Sequence, residues 1–150
     1  MNVGIIGSGG REHAICVSLK NSKKINNVYC FPGNAGTSLI AQNIEADLNN
    51  FEELKKLIQK LNIDLIIIGP EKPLVNGLVD YLEENKIKVF GPKKIASQLE
   101  GSKIFTKKLC EKYKIPTADF GVFENVAKSL SFLKHCNFPI VVKADGLAAG

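Results

Sequence analysis

Apolar positions in the first hundred residues follow two alternating rhythms. Short unbroken runs, Val3-Gly4-Ile5-Ile6, Val28-Tyr29-Cys30-Phe31, Leu65-Ile66-Ile67-Ile68 and Val89-Phe90, read as strands, and the isoleucine run as one buried on both faces. Between them the spacing lengthens to that of a helix. A first helix is expected over 12–19. Phe51, Leu54, Leu57, Ile58 and Leu61 then recur on one helix face, and Leu74, Leu78, Val79 and Leu82 on another. Asn50 followed by Glu53 predicts an N-cap and capping box for the second of these helices. Strand and helix in alternation predict an α/β fold built on a doubly wound, Rossmann-like parallel sheet. Such sheets bind ligands beyond the carboxyl ends of their strands.

After Leu99 the pattern changes. Ser102 is placed to cap a basic helix that runs to about Lys114 and ends at Ile115-Pro116. A strand over 119–123, a helix over 126–136 and a strand over 140–143 follow. The sequence then runs into Ala144-Asp145-Gly146-Leu147-Ala148-Ala149-Gly150. A domain rarely ends in a glycine loop straight after a buried strand. The expectation is therefore one domain over 1–100 and the truncated beginning of a second over 101–150.

Polar and glycine motifs collect at the ends of the first four strands. Gly7-Ser8-Gly9-Gly10-Arg11-Glu12-His13 leaves strand one, and Pro32-Gly33-Asn34-Ala35-Gly36-Thr37 leaves strand two. Gly69-Pro70-Glu71-Lys72-Pro73 follows the isoleucine run, and Gly91-Pro92-Lys93-Lys94 follows Val89-Phe90. A glycine turn that opens a helix gathers backbone N–H groups on an anion, assisted by the helix dipole. The turn begins like a dinucleotide fingerprint but departs from it. Glu12 stands where close helix packing wants a third glycine, and no acidic ribose reader closes strand two. Arg11 adds a full charge, which suits a terminal phosphate monoester. Asn34 and Glu71 are polar handles, Glu71 for a sugar diol. The competing readings are a plain tight turn, and for Glu71 an exposed carboxylate favoured at a helix start.

Charge and composition add little to this. The net charge is +5, but the lysines are scattered as solvated pairs without interleaved aromatics, so no nucleic-acid partner is expected. The four cysteines, Cys16, Cys30, Cys110 and Cys136, match neither a zinc pattern nor a disulfide framework, and four free thiols are expected. There is no signal-peptide pattern and no apolar run near the ~20 residues of a membrane span. A cytoplasmic protein without a membrane partner is expected. No Ser/His/Asp or Cys/His arrangement marks a nucleophile, so no residue is assigned as catalytic.

Taken in order, IGSGGREHA, PGNAGT, IIIGPEKPLVNGLVD, FGP, LEGSKIFTK, IPTADF and PIVVKADGLAAG resemble the opening of phosphoribosylamine–glycine ligases (glycinamide ribonucleotide synthetases) of the ATP-grasp superfamily. The resemblance covers essentially the whole chain. It implies a pre-ATP-grasp domain over 1–100, followed by the start of an ATP-grasp lobe over 101–150. It also implies a purine-biosynthetic reaction in which ATP, glycine and 5-phosphoribosylamine give glycinamide ribonucleotide, ADP and phosphate through glycyl phosphate. By resemblance, Gly9, Gly10 and Arg11 hold the 5-phosphate, and Asn34, Gly36 and Glu71 face the ribose or amine. Lys103 and Lys143 reach the nucleotide phosphates, and Gly146, Leu147, Ala148 and Gly150 belong to the loop that closes over ATP. Mg2+ (or Mn2+) is implied, with ligands expected downstream of residue 150; no metal ligand is assigned within the chain. Two rival readings stand beside this one: another pre-ATP-grasp carboxylase or ligase, and a nucleotide-binding Rossmann domain.

Overall fold

The structure is a computed structural model that describes residues 1–147. It comprises two compact units, Met1–Ser97 and Gln98–Gly150. The first holds a five-stranded sheet of β1 (Asn2–Gly7), β2 (Asn27–Pro32), β3 (Gln42–Asn43), β4 (Leu65–Ile68) and β5 (Val89–Phe90), in the order β3-β2-β1-β4-β5. Every neighbouring pair is parallel. Its helices are α1 (Gly10–Lys20), α2 (Phe51–Lys60), α3 (Glu71–Asn76) and α4 (Leu78–Glu84). The chain winds outward from β1 to β3, then returns to add β4 on the other side of β1. The strand order therefore switches between β1 and β4, where a crevice forms in sheets of this kind.

Register brings the loops level. Ile6 lies beside both Phe31 and Ile68, so β1, β2 and β4 end together. The ladder continues into the turns, where Gly33 N–H donates to Gly7 O and Gly69 N–H to Ile6 O, both at 3.1 Å. Alternation along the strands separates two cores. Ile6, Phe31, Ile66 and Ile68 pack with Leu54, Ile58, Leu78 and Leu82 from α2 and α4. Ile5, Val28 and Cys30 pack with Cys16 of α1 on the opposite face. Each fully buried aliphatic or aromatic side chain of this kind contributes about 1.5–3 kcal/mol. The α1-side core contains no residue of β4, whose Leu65 and Ile67 are only half-buried. The isoleucine run is thus less completely covered than its sequence suggests.

Three features of the first unit and its border differ from the sequence reading. The expected helix through 74–82 is two helices, because Gly77 adopts φ +95° and breaks the ladder between α3 and α4. The short β3 carries only Gln42 and Asn43, both exposed, and so offers no apolar signal. Lys94–Gly101 forms a further helix, α5, which spans the division between the units.

The second unit holds α6 (Lys103–Lys112) and α7 (Val126–Leu133). Ser102 caps α6 by accepting from Phe105 N–H, as the sequence predicts. α7 stops at Leu133, short of the expected Cys136. The strands expected over 119–123 and 140–143 are not formed among the described residues. A strand is stable only on a ladder, and no partner strand for them lies within these residues. Gly101 is the only buried residue among the described residues of this unit, and Val141 and Val142 are about 80% exposed (79% and 83%). No helix among the described residues is long and apolar enough to cross a membrane.

Candidate functional site at the carboxyl edge of the sheet

The turn after β1 is organised by Glu12. Its carboxylate folds back beneath the turn and accepts the Gly9 N–H at 2.6 Å, the half of a capping box that a glycine N-cap allows. The side chain is almost wholly buried, at 4% exposure, and Oε1 has no hydrogen-bond partner. It occupies the gap between the ends of β1 and β4, and a Cβ on Gly69 would run into it. The sequence marks Glu12 only as a fault in a dinucleotide pattern. In the structure it fills the space that the third glycine of that pattern would leave empty, and it takes up one of the turn's backbone donors.

Arg11 joins this turn to the one after β4. Nη1 donates to Gly69 O at 2.8 Å and Nη2 to Glu71 Oε1 at 3.0 Å, while Nε lies 3.8 Å from Glu12 Oε1. The guanidinium is more than half exposed and Glu71 is 42% exposed, so the pair contributes at most about 1 kcal/mol. Glu71 sits at the first position of α3. Its own backbone N–H, and then Arg11, hold its carboxyl below the usual carboxylate range. Sequence-predicted Arg11 and Glu71 are therefore brought into direct contact.

The loop after β2 is tied to the same place. Asn34 donates its amide to Ser8 O at 2.9 Å, and its Oδ1 accepts from Thr37 N–H at 2.9 Å. Fully buried Thr37 donates in turn to Asn43 Oδ1, and Asn43 donates to Asn34 O. Asn34 is thus a brace between two loops as well as a polar handle. Gly36 lies against His13, whose ring atoms would be 3.2 Å from a Cβ there. Gly9, Gly10, Arg11, Asn34, Gly36 and Glu71 converge on one edge of the sheet. The loop after β5 uses its polar groups elsewhere, with Lys93 on Glu83 and the Lys94 N–H on Asp80. Two shallow surface depressions, one beside Lys20 and Leu39 and one beside Asn62 and Lys86, include none of these site residues.

In the second unit Lys103 donates to Gly146 O at 2.7 Å. A lysine in a helix's first turn is electrostatically misplaced unless an anion is near. The acid at this helix start is Asp145, which accepts from Ile104 N–H and Ser102 Oγ, while the Lys103 ammonium is held by the Gly146 carbonyl. The Ile104 N–H leads in holding the Asp145 carboxyl below the usual range. The LEGSK and ADG segments are thereby joined through Asp145, which the sequence reading overlooked. The signal was available: an acid beside a glycine loop, and a capped helix with a cation in its first turn. Lys143 and Leu147 are exposed, and Lys143 does not end a strand. Ala148 and Gly150 lie outside the described residues.

All four cysteines are free, as expected. Cys16 and Cys30, both buried, approach to 3.1 Å between sulfurs in the core between α1 and the sheet. Burial pushes the Cys16 thiol up, and it pushes Cys30 up to about 12.

Residues 1–100 match the family described as phosphoribosylglycinamide synthetase, N domain. Residues 101–150 match its ATP-grasp (A) domain. The phosphoribosylamine–glycine ligase of Clostridium acetobutylicum is 49% identical over all 150 residues, which correspond to 36% of its own length. A crystal structure of phosphoribosylamine–glycine ligase from Thermotoga maritima aligns with the whole chain and 34% of its own, at TM-score 0.76 and 37% identity. N5-carboxyaminoimidazole synthetase from Staphylococcus aureus, complexed with ADP, aligns with 98% of the chain at TM-score 0.73, but at 18% identity it shares the fold alone. The chain spans about a third of the length of these phosphoribosylamine–glycine ligases. With both family profiles meeting at residue 100 and near-half identity along its entire length, the chain belongs to the phosphoribosylglycinamide synthetase family.

Proposed function

We propose that the protein ligates glycine to 5-phosphoribosylamine with ATP, giving glycinamide ribonucleotide, ADP and phosphate in purine biosynthesis. A carboxylate resists attack by an amine because it is negatively charged and lacks a leaving group. Phosphorylation by ATP converts glycine into glycyl phosphate, which the ribosylamine attacks with loss of phosphate. The protein's share is positioning and charge neutralisation, without a nucleophile of its own. Residues 1–100 serve as the pre-ATP-grasp domain on the phosphoribosylamine side, and residues 101–150 open the ATP-grasp domain.

One observation carries this reading: the turn of Gly9, Gly10 and Arg11, the Asn34 brace, Gly36 and Glu71 meet at the switch point of a sheet whose family is that of phosphoribosylglycinamide synthetases. In this reading Gly10, Arg11 and the start of α1 hold the 5-phosphate, with Gly9 shaping the turn. Asn34, Gly36 and Glu71 border the ribose and amine. Lys103 and Lys143 neutralise the nucleotide phosphates beside Gly146 and Leu147, with Ala148 and Gly150 in the same loop. ATP-grasp chemistry also calls for magnesium. Among the described residues no group of three or more His, Cys, Asp or Glu is placed to hold a metal, and no ligand to it is assigned in this chain. A cytoplasmic setting suits the four free thiols.

The test is a pair of measurements. Calorimetry on the chain should give binding of ribose 5-phosphate and none of NAD. Supplied with 5-phosphoribosylamine, the full-length protein should consume ATP with glycine and not with bicarbonate. Tight NAD binding, or ATP turnover that follows bicarbonate, overturns the reading.

A further inference from the structure

The charges at the switch point do not suit a dianionic phosphate as they stand. Arg11 contributes one positive charge, while Glu12 and Glu71 contribute two negative ones within 3.0–3.8 Å of it. A phosphate monoester added to this trio meets a net negative cluster. Either the anion binds elsewhere, or one carboxylate leaves.

Which one leaves is fixed by burial. Glu12 is 4% exposed, accepts the Gly9 N–H, and is walled in by Gly7, Gly9 and Gly69. Glu71 is 42% exposed and is joined to Arg11 by one contact at 3.0 Å. Its side chain turns away without disturbing the core. The orphaned Glu12 Oε1 lies 3.8 Å from Arg11 Nε, beyond hydrogen-bond reach but close enough for charge attraction. It remains as the counter-ion that keeps Arg11 at the turn after Glu71 has gone.

We propose that Glu71 is a stand-in ligand for Arg11 that the substrate's phosphate displaces, and that the released carboxylate then receives the hydroxyls of the same substrate's ribose. The inference rests on the phosphoribosyl reading of this site and adds an exchange to it. A single phosphoribosyl compound satisfies both halves, because its phosphate replaces Glu71 on Arg11 and its sugar replaces Arg11 on Glu71. Inorganic phosphate does only the first and leaves Glu71 unpaired. The free site would thus discriminate against phosphate lacking a sugar, which is abundant in cells and is a product of the proposed reaction.

The experiment titrates the chain, as wild type and as Glu71→Gln, with inorganic phosphate and with ribose 5-phosphate at constant ionic strength. Glu71→Gln removes the competing charge, so inorganic phosphate should bind about two- to fivefold tighter, the range for an exposed ion pair. Ribose 5-phosphate should gain less or lose affinity, because the carboxylate that receives its hydroxyls is gone. The ratio of the two dissociation constants should therefore move toward inorganic phosphate. An unchanged or weakened inorganic phosphate affinity in Glu71→Gln, with ribose 5-phosphate still bound by the wild type, overturns the exchange and leaves the site reading standing. An equal or larger gain for ribose 5-phosphate overturns the transfer of Glu71 to the sugar. Binding of neither ligand by either protein overturns the exchange together with the reading beneath it.

Discussion

Glu12 can lie under the β1 turn only because Gly69 has no side chain, and each residue explains the other. Gly69→Ala should cost about 1–3 kcal/mol in urea unfolding, the usual penalty for an inserted methyl with no room. In a Glu12→Ala background the added cost of Gly69→Ala should fall well below that, since the obstruction is gone. Additive losses in the two backgrounds would contradict the contact. Arg11→Ala should weaken ribose 5-phosphate binding by about 1.5–3 kcal/mol, the scale of a charged hydrogen bond, and toward its lower end because Glu71 must first be released. Calorimetry giving an unchanged affinity would remove Arg11 from the site. Cys30 supplies a prediction with a sign. Its folded thiol stands at about 12 against an ordinary 9.0, so the folded protein keeps a proton that the unfolded chain gives up. Its contribution to stability is therefore whole below 9.0 and is lost as the pH rises toward 12. Urea midpoints should fall across that window more steeply in the wild type than in Cys30→Ala. At this scale the sequence makes Arg11, Asn34 and Glu71 visible as polar groups in glycine loops. It does not make their mutual contacts visible, because these depend on strands far apart in the chain ending level.

Elements were legible in proportion to how much of their own stabilisation is local. The α2 start is right to the residue because the Asn50 side chain accepts the Glu53 N–H; the other half of the expected capping box is not formed, since Glu53 accepts from the Asn50 side-chain amide and the Asn50 N–H donates to Asp47 O. The α6 cap at Ser102 is equally local. By contrast, β3 exists only because β2 lies beside it, and two exposed polar residues carry no trace of that. The expected strands at 119–123 and 140–143 failed for the complementary reason: their composition favours β structure, but a ladder needs a second strand. The break between α3 and α4 was missed because Gly77 within an apolar periodicity reads as a tolerated helix residue until its φ of +95° is known. Asp145 shows how an element end can be completed from 41 residues away. Asp145→Ala should expose the Ile104 N–H, speeding amide exchange in the first turn of α6 while leaving its last turn unchanged. Equal acceleration along α6 would mean that Asp145 supports the unit as a whole and not this cap.

On the scale of the whole molecule the two units differ in kind. Met1–Ser97 encloses two cores on either side of a parallel sheet, with Ile5, Ile6, Phe31, Leu54, Leu78 and Leu82 wholly removed from water. In the second unit the described residues bury Gly101 alone, and Phe138, Val141 and Val142 face solvent. Apolar burial is the dominant favourable term in folding, so only the first unit has the means to offset the entropy of ordering its chain. Its opening free energy should approach the global value, whereas that of the second unit is limited to helix capping and a few local contacts such as the Phe123–Phe132 ring pair at 5.0 Å. Native-state hydrogen exchange should therefore show strong protection in β1 and β4 and weak protection throughout α7. Proteolysis under native conditions should remove α6 and the residues after it and leave a resistant core ending near Gly101. Ribose 5-phosphate should slow exchange in the turns after β1 and β4 without changing α7, because the groups proposed to hold it all belong to the first unit. Protection of α7 equal to that of β1 would show that the second unit is stabilised by something other than the burial described here.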